Sequence, residues 1–547
     1  MSSSLIVYAI GATGTLVALA LFNLVLHVWR ISTSPLQHLP GPPSESLLWG
    51  NTKAIQSEEN SVPQERWVQQ YGHTIAYKSA FGVCNLWTVD TRALNHIMTH
   101  STIYQRPPPA RYLLSHVVGP GVLVAEDEQH KHQRRVMNPA FGPAQIRELT
   151  EIFTDKSNQL RDCWLEEISK SGGVSARVDA PSWLGRTTLD IIGRAGFGYD
   201  FEALNPGEKT NELNEAFATL FAAPNADRRF FAGLQASIPL LRLIKTENNR
   251  RNERAQAVMR RMGMKLIAEK KAAIMAETSE NGRGIERKDM TERDLLTLLI
   301  RANMATDIPE DQRLTDDEVL AQVPTFIVAG HETTSTATTW ALFSLSQRPD
   351  VQSKLREELL DVSTDSPSMD ELNALPYLDA VVRETLRHHS PVPNATRQAV
   401  QDDVIPVGTP YTDKHGRVRE HIEIKKGDIV FLPILALNRR KEIWGDDAHE
   451  FKPERWEHTP EAAASIPGVW GHLLTFLGGP RACIGYRFSL VEMKVLLFAL
   501  VRAFEFELGV PVEVVKKRSI IVTRPVITGP DGKTKGSLPL IIRPYRA

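Results

Sequence analysis

Cysteine is scarce in this 547-residue chain, which contains only Cys84, Cys163 and Cys483. The three are widely spaced and form no Cys-x-x-Cys pair, so the sequence provides neither a disulfide framework nor a zinc-binding pattern. Such sparse use of cysteine is typical of proteins from a reducing compartment. Each cysteine is therefore considered as a separate thiol.

Net charge is also nearly absent. The chain has 64 Lys and Arg against 65 Asp and Glu, a formal charge of -1. It lacks the basic excess of nucleic-acid-binding proteins, so no nucleic-acid partner is expected. No internal repeat or low-complexity tract is visible. A glycine-rich dinucleotide-binding fingerprint is missing as well, so the sequence gives no sign of a nicotinamide or flavin site of the Rossmann kind.

One stretch near the N terminus, Leu5 to Val28, contains no Asp, Glu, Lys or Arg. As a helix it would extend about 36 Å, enough to cross the core of a bilayer. A cleaved signal peptide is the alternative, but no basic residue precedes this run, and its length exceeds the usual range of about 7–15 residues. We therefore predict a retained membrane anchor. The following Arg30 and Lys53 place the bulk of the chain in the cytosol by the positive-inside rule.

A proline-rich segment, Leu39-Pro40-Gly41-Pro42-Pro43, follows the apolar run. Prolines fix φ and remove backbone donors, which favours a stiff and extended hinge. No clear linker divides the rest of the chain. The predicted organisation is a membrane anchor over residues 1–30, a proline-rich hinge over 31–45 and one catalytic domain over 46–547.

The most informative stretch lies near the C terminus and reads Phe476-Leu477-Gly478-Gly479-Pro480-Arg481-Ala482-Cys483-Ile484-Gly485. Glycines let a backbone turn tightly and approach a large planar group. A thiol just before a helix N-terminus is stabilised as a thiolate by amide N–H groups and the helix dipole. A lone cysteine in a turn is more often a small buried hydrophobe. Here several constrained residues occur together at fixed spacing, which favours a functional loop.

This loop resembles the haem-binding signature of the cytochrome P450 family. The resemblance implies heme b as cofactor, with Cys483 as its axial thiolate ligand, a ligand type that favours cleavage of the O–O bond. It also implies that Phe476 shields the sulfur and that Gly479 and Gly485 allow the turns. Arg481 would face a haem propionate.

A second motif lies in a long apolar helical pattern that opens with a capping box, Thr315-x-x-Glu318. The motif reads Ala329-Gly330-His331-Glu332-Thr333-Thr334. Threonines in such a helix are often structural, because their hydroxyls bond the carbonyl one turn earlier. The pattern resembles the oxygen-activation motif of the same family. That resemblance implies that Thr333 and Glu332 relay protons to bound oxygen.

Two further segments carry groups that the resemblance directs to the haem propionates. A charged helix over residues 126–141 has His130 and Arg134 four residues apart, hence on one face. His130 stands where the family has tryptophan, although an imidazole N–H can still donate to a carboxylate. Arg397 follows a proline-rich strand start and would reach a propionate too. A solvated helix face and an exposed strand arginine are the alternatives.

Glu384 and Arg387 form a Glu-x-x-Arg pair that could arise by chance in any helix. Arg455 follows in the stretch Phe451-Lys452-Pro453-Glu454-Arg455-Trp456. The three occupy the positions of a buried triad in the P450 family that locks the fold around the cysteine loop. We therefore predict a structural role for them.

The resemblance covers nearly the whole chain, with four signature regions in order. It implies a mainly α fold with small β regions, the P450 haem domain, preceded by one transmembrane helix. The implied enzyme is a monooxygenase that inserts one atom of O2 into a lipophilic small molecule. An NADPH–cytochrome P450 reductase would supply electrons. The predicted location is the membrane of the endoplasmic reticulum, with the catalytic domain in the cytosol.

Two alternatives remain open. The first is a haem-thiolate isomerase or dehydratase of oxygenated lipids, against which the intact Glu332–Thr333 pair argues. The second is a non-catalytic haem sensor, which would need neither proton relay nor electron donor. For a monooxygenase, the apolar stretch from Phe217 to Ile244 is either a substrate-channel lid or an ordinary buried helix pair. By analogy with fungal members, we expect a terpenoid, steroid-like or aromatic substrate in secondary metabolism or xenobiotic oxidation.

Overall fold

The computed structural model of the chain describes residues 22, 25–205, 212, 226–281, 294–304, 309, 313–519, 521–529 and 534–546. Most of the predicted anchor, Leu5 to Val28, lies outside the described residues, as do residues 217–225 of the predicted lid. Within the described part, none of the helices combines the length and apolar character that a bilayer-spanning segment needs.

Helices dominate the described residues. In chain order, the α-helices are α1 (Thr52–Ser57), α2 (Val62–Tyr71), α3 (Thr91–Thr99), α4 (Pro108–Val118), α5 (Asp127–Met137), α6 (Pro143–Lys170), α7 (Ala180–Phe197), α8 (Ala226–Ser237), α9 (Glu247–Asn281), α10 (Leu295–Met304), α11 (Asp316–Gln347), α12 (Pro349–Leu360), α13 (Met369–Asn373), α14 (Pro376–His388), α15 (Ile434–Asn438), α16 (Lys441–Trp444) and α17 (Tyr486–Ala503).

The strands are short. In chain order, they are β1 (Thr74–Lys78), β2 (Cys84–Thr88), β3 (Tyr104–Gln105), β4 (Ala176–Asp179), β5 (Ala395–Ala399), β6 (Asp403–Thr412), β7 (Val418–Ile424), β8 (Ile429–Leu432), β9 (Phe504–Leu508), β10 (Val515–Ser519), β11 (Thr523–Thr528), β12 (Thr534–Gly536) and β13 (Pro539–Pro544). The predicted mainly α fold with small β regions is confirmed.

The chain divides into two compact units. The first comprises Met1–Gln105 with Asn394–Ala436, and the second comprises Arg106–Pro393 with Leu437–Ala547. Strands of the first unit form a five-stranded sheet in the order β1-β2-β8-β5-β3 and a separate β6-β7 hairpin. Strands of the second unit form two three-stranded sheets, β10-β11-β12 and β4-β13-β9.

The proline-rich hinge is held against the sheet of the first unit. The Ala76 N–H on β1 donates to the Pro40 carbonyl at 2.9 Å. Gly41 has a φ of +156°, and a Cβ there would lie 2.0 Å from the Ala76 carbonyl oxygen, so only glycine fits this approach. From the β6–β7 turn, the Lys414 N–H donates to the His38 carbonyl at 2.8 Å. The hinge is thus hydrogen-bonded on two sides.

The second unit is built around α11. This helix begins with the predicted capping box, in which Thr315 and Glu318 satisfy each other's backbone N–H groups, and it contains Pro324. It packs against α7 and α17. Trp340 on α11 donates its indole N–H to the Thr523 carbonyl at 2.7 Å, which fixes α11 to β11. These contacts determine which face of α11 is left open.

Candidate active site

The loop that carries Cys483 is a short turn followed directly by α17. Gly479 has a φ of +67°, in the left-handed region that favours glycine. The Cys483 N–H donates to the Phe476 carbonyl at 2.9 Å and closes the loop. The Gly485 N–H is directed at the thiol. Gly485 itself has an ordinary φ of −92°, so it contributes a donor here rather than a conformation that needs glycine.

The state of the Cys483 thiol depends on what binds it. Its side chain is exposed, yet burial raises the pKa of the thiol. Exposure and burial are compatible if the sulfur faces a space that is itself surrounded by protein. The Gly485 N–H lowers this pKa, as the sequence predicts for an amide beside the thiol, and the charge of Arg134 lowers it too, but burial raises it more. The loop therefore does not ionise the thiol by itself, whereas a coordinated metal ion would.

On the oxygen side, α11 has a partly exposed stretch in the middle of an otherwise buried helix. Residues 328–333 are partly exposed and Ala329 is the most exposed of them. The Thr333 hydroxyl donates to the Ala329 carbonyl at 2.5 Å, which is the contact expected of a structural threonine. A hydroxyl oxygen still has lone pairs that accept hydrogen bonds. Thr333 can therefore bind a ligand or water as an acceptor.

Gly330 serves helix packing. A Cβ built at Gly330 would lie 3.0 Å from the Ile192 side chain on α7. That spacing is tighter than side chains normally tolerate, so the glycine lets α7 and α11 approach each other. The most exposed position of this stretch is therefore Ala329 and not the glycine.

Glu332 is held by a residue that sequence reasoning missed. Arg524 on β11 donates to the Glu332 carboxylate. His331 Nδ1 lies 3.9 Å from Glu332 Oε1, and burial lowers the pKa of His331, which keeps this imidazole neutral at neutral pH. Arg524 belongs to no motif in the sequence, so only the packing of β11 on α11 brings it to the site.

The two motif-bearing helices touch each other directly. The Thr334 hydroxyl donates to Ser489 Oγ at 3.1 Å. Thr334 follows Thr333 on α11, and Ser489 lies in the first turn of α17, just after the Cys483 loop. This contact brings the segments that carry both sequence motifs into one part of the second unit.

A cluster of arginines adjoins the cysteine loop. Arg134 Nη1 donates to the Ala482 carbonyl at 2.9 Å. Arg481 Nη1 donates to the Ala125 carbonyl at 2.6 Å, and its other terminal nitrogen pairs with Glu126. The same Glu126 carboxylate accepts a hydrogen bond from the backbone N–H of Arg106 at 3.1 Å. The sequence predicts Arg134 and Arg481 here, but it gave no reason to choose Arg106 or Glu126.

Four guanidinium groups, those of Arg106, Arg111, Arg134 and Arg481, share this site with two carboxylates, Glu126 and Asp127. Arg106 is deeply enclosed, and burial together with the charge of Arg481 lowers its pKa to about 10. Among the described residues, no acceptor pairs with its buried Nε. Burial likewise lowers the pKa values of Arg134 and Arg481. Enclosed cations in excess need an anionic partner. Two carboxylates of a haem beside an exposed thiol would provide it, so the residues present fit heme b.

His130 and Arg397 are the two other residues that the sequence predicts to bind a haem propionate. His130 is buried on α5, one turn before Arg134. Arg397 belongs to the first unit, where it is buried on β5 and donates to the Thr396 carbonyl at 2.9 Å. Their roles toward a propionate stay predictions.

The Glu384–Arg387 pair is fully buried. Arg387 Nε and Nη2 contact the two oxygens of Glu384 at 2.8 and 2.7 Å, a two-point ion pair. Arg455 Nε lies 3.6 Å from Glu384 Oε1, but its shorter contact, at 2.6 Å, is to Asp447. The Trp456 indole N–H donates a hydrogen bond to Glu384 Oε2 at 3.1 Å. All three members of the predicted triad thus meet, with two partners that the sequence did not indicate.

A chain of hydrogen bonds leads from this pair to the cysteine loop. Arg387 Nη1 donates to the Asn438 carbonyl at 3.0 Å. The Asn438 side chain accepts the Leu474 N–H at 2.9 Å and donates to Thr475 Oγ1 at 2.8 Å. Thr475 directly precedes Phe476, where the loop begins. The buried pair can therefore hold the loop in place without touching it.

Glu492 on α17 is a buried acid that no motif pointed to. It is fully buried, and no described residue forms a geometrically acceptable hydrogen bond with either of its carboxylate oxygens. The neighbouring Thr334 hydroxyl lowers the pKa of Glu492, but it donates to Ser489 instead. Burial is the larger effect and raises the pKa well above its usual range. Burial therefore favours the protonated, uncharged form of Glu492.

We expect Glu492→Gln to remove a loss of stability that sets in as pH rises above the ordinary pKa of a glutamate carboxyl. Because the folded-state pKa of Glu492 is raised, its contribution is fully present below the unfolded-state pKa and is lost as pH rises through the folded-state value. The neutral amide cannot ionise, so the variant should retain stability where the wild type weakens. Melting temperatures measured from pH 5 to pH 9 test this. Parallel pH profiles of the two proteins would contradict it, and Glu513→Gln, at a turn of the surface, serves as control.

Comparisons with known proteins agree with this site. The family model for cytochrome P450 matches residues 40–527. Cytochrome P450 monooxygenase 205 of Postia placenta is 56% identical over 528 residues, which cover 96% of each chain. Cytochrome P450 monooxygenase 128 of the same fungus is 52% identical over 538 residues, 98% of this chain and 97% of the relative. A ganoderic acid synthetase of Ganoderma lucidum is 35% identical over 527 residues, 92% of this chain and 93% of the relative.

The similarity runs almost from end to end and includes proteins that are more than half identical to this one. It is accompanied by a cysteine loop whose arginine cluster fits haem. The chain belongs to the cytochrome P450 family and is a monooxygenase.

Proposed function

We propose that this protein is a membrane-anchored monooxygenase that inserts one oxygen atom from O2 into a lipophilic organic substrate. Its electrons come from an NADPH–cytochrome P450 reductase. The observation that carries this proposal is the 3.1 Å bond from Thr334 to Ser489, which joins the oxygen-side helix to the helix after the cysteine loop. A proton relay and a metal-binding thiol on neighbouring helices suit a reaction that consumes both O2 and protons.

Each residue of the site then has a part in binding. When bound, haem would supply the activation of O2 at its iron. Cys483 would hold the iron, and Phe476 would cover the sulfur. Arg134 and Arg481, joined by Arg106, would bind the propionates by charge-assisted hydrogen bonds. His130 and Arg397 are proposed to add donors to the same carboxylates.

Protons would reach the oxygen side through α11. Glu332 is oriented by Arg524, which fixes the carboxylate at the side of the helix. Thr333 has its hydrogen directed at the Ala329 carbonyl, so its oxygen can accept a hydrogen bond from a water molecule. A water held between the two side chains would pass a proton from the acid toward the open stretch at Ala329.

The C-terminal end of the predicted lid, residues 238–244, supports a lipophilic substrate and a membrane location. Ile238, Leu240, Leu243 and Ile244 are exposed in succession, and Leu243 is 79% exposed. A run of exposed apolar side chains is typical of a surface that contacts lipid or guides an apolar ligand. With the anchor proposed for residues 1–30, this favours attachment to the endoplasmic reticulum and a cytosolic catalytic domain.

The substrate class is proposed more broadly. Similarity to a ganoderic acid synthetase supports a small organic substrate of fungal secondary metabolism. Terpenoid, steroid-like and aromatic compounds all suit an apolar entrance, and xenobiotic oxidation uses the same class of molecules. For the reductase, Lys131 and Arg135 on α5 offer exposed positive charge to an acidic partner surface.

The test is expression of the full chain with a fungal NADPH–cytochrome P450 reductase in membranes, followed by a screen of lipophilic compounds under labelled O2. We expect product with one labelled oxygen atom and matching NADPH consumption. Thr333→Ala should lower the yield of product per NADPH. Product without label would instead indicate an isomerase or dehydratase. Failure to consume NADPH with any compound would indicate a haem sensor.

A further inference from the structure

The first unit contains a cavity of about 200 Å³ between the hinge and the sheet. One wall is the hinge segment around Pro42, Pro43 and Ser44, and the other is formed by β1 and the start of β2. At about 30 Å³ per water, the space equals about seven water molecules. It is therefore large enough for a small polar group and part of what that group is attached to.

The cavity is positively charged. Lys78 at the end of β1 and Lys414 from the β6–β7 turn both line it, and no carboxylate residue is among the described residues of its lining. Burial raises the pKa of the Cys84 thiol in the same wall, and the charges of both lysines lower it. Both ammonium groups therefore act on the same sulfur.

Neighbouring groups leave this charge largely uncompensated. Asp428 opposes the effect of the lysines on Cys84, but the positive charge of Arg30 also acts on this carboxylate. Its two oxygens accept hydrogen bonds from the Ser34 hydroxyl at 2.8 Å and the Lys425 N–H at 2.9 Å. The Lys414 ammonium donates one hydrogen to the Gln37 carbonyl at 3.0 Å. An ammonium group has three donors, so others stay available to a ligand.

We propose that this cavity is a binding site for a phosphoryl group, held by Lys78 and Lys414. Lysine binds phosphate as a compact point charge, and two ammonium groups over an enclosed space without a carboxylate suit a phosphate ester. The hinge that forms one wall directly follows the proposed membrane anchor. This position makes the headgroup of an anionic phospholipid the main source, and a soluble phosphate ester is the other.

The alkylation rate of Cys84 measures whether the cavity is occupied, and it does so independently of enzyme activity. The full-length, haem-loaded protein is placed in nanodiscs of phosphatidylcholine alone or with phosphatidic acid, alkylated with iodoacetamide, and mapped by peptide mass spectrometry. The rate at Cys84 is divided by the rate at Cys163, a buried thiol of the second unit. We expect phosphatidic acid to slow Cys84 about fivefold once the headgroup is at about four times its dissociation constant. A parallel arm uses detergent-solubilised protein with glycerol phosphate, and protection there identifies the soluble source.

The variant Lys78→Gln/Lys414→Gln should lose the protection, while Lys53→Gln, an exposed lysine of the same unit outside the cavity, should keep it. Native mass spectrometry gives a second readout, in which the wild type retains one more phosphatidic acid or glycerol phosphate than the double variant. Equal retention, or protection that survives the double variant, would overturn the proposal. If the protein failed to enter nanodiscs, only the proposed membrane anchor would be contradicted. The experiment on detergent-solubilised protein with glycerol phosphate would still test the cavity.

Discussion

Cys483→Ser is expected to abolish monooxygenase turnover and the thiolate-type band in the reduced-CO difference spectrum. A serine hydroxyl stays protonated and is a hard oxygen ligand, whereas a thiolate donates the electron density that favours O–O cleavage. The loop itself should persist, because it is closed by the Cys483 N–H and the Phe476 carbonyl, which serine retains. The spectrum and the haem content of the purified protein are the measurements.

A matched control exists in the same chain. Cys163 on α6 is buried, and its thiol lies 3.4 Å from Asn205 Oδ1. Cys163→Ser changes the same atoms at a site without the glycine-rich loop, so it should keep both band and turnover. Retention of the thiolate-type band in Cys483→Ser would refute the assignment of this residue as the iron ligand.

Glu384→Ala is expected to lower the free energy of unfolding by about 3–5 kcal/mol. The change leaves Arg387 fully buried without its carboxylate, and the Trp456 indole N–H and Lys452 N–H lose their acceptor. A loss of about 4 kcal/mol shifts the folding equilibrium roughly a thousandfold. The loop should then lose its support through Asn438, and haem content should fall with stability. Chemical unfolding followed by far-ultraviolet circular dichroism measures the first effect, and absorbance of bound haem measures the second.

An exposed arginine–carboxylate pair separates the effect of burial from the effect of pairing. Arg147 Nη2 contacts the two oxygens of Asp370 at 2.9 and 3.1 Å, and both side chains are largely exposed. Asp370→Ala should cost far less than Glu384→Ala, because solvent screens the pair and solvates the remaining charge. Glu384→Gln, which keeps one acceptor oxygen, should fall between them. Similar losses in all three variants would contradict a role for the buried charge.

Sequence reasoning succeeded where a local signal and a chemical role coincide. The capping box at Thr315 and Glu318 forms as its spacing predicts, because both partners lie within one helical turn. Gly479 adopts the positive φ that a glycine before a proline in a tight turn permits. Glu384 and Arg387, three residues apart on α14, pair on one helix face. In each case, the interacting groups are close in sequence.

It failed where the partner is distant. Arg524 lies far from Glu332 in the chain, and Glu126 and Arg106 carry no pattern that ties them to Arg481. Gly330 belongs to the oxygen-side motif in the sequence, but its missing side chain accommodates Ile192 from another helix. The thiolate predicted from the loop is opposed by burial, a quantity that depends on everything packed around Cys483.

The sequence by itself determined the family, the cysteine loop, the oxygen-side motif and the identity of the buried triad, because these are combinations of residue types at short spacing. Only the tertiary structure decided which polar groups meet: Arg524 with Glu332, Glu126 with Arg481, and Trp456 with Glu384. It also revealed the buried acid Glu492 and the lysine-lined cavity beneath the hinge. Burial and charge compensation arise from contacts between segments distant in the chain, so a motif can identify a reactive group but not the environment that sets its protonation or its partner.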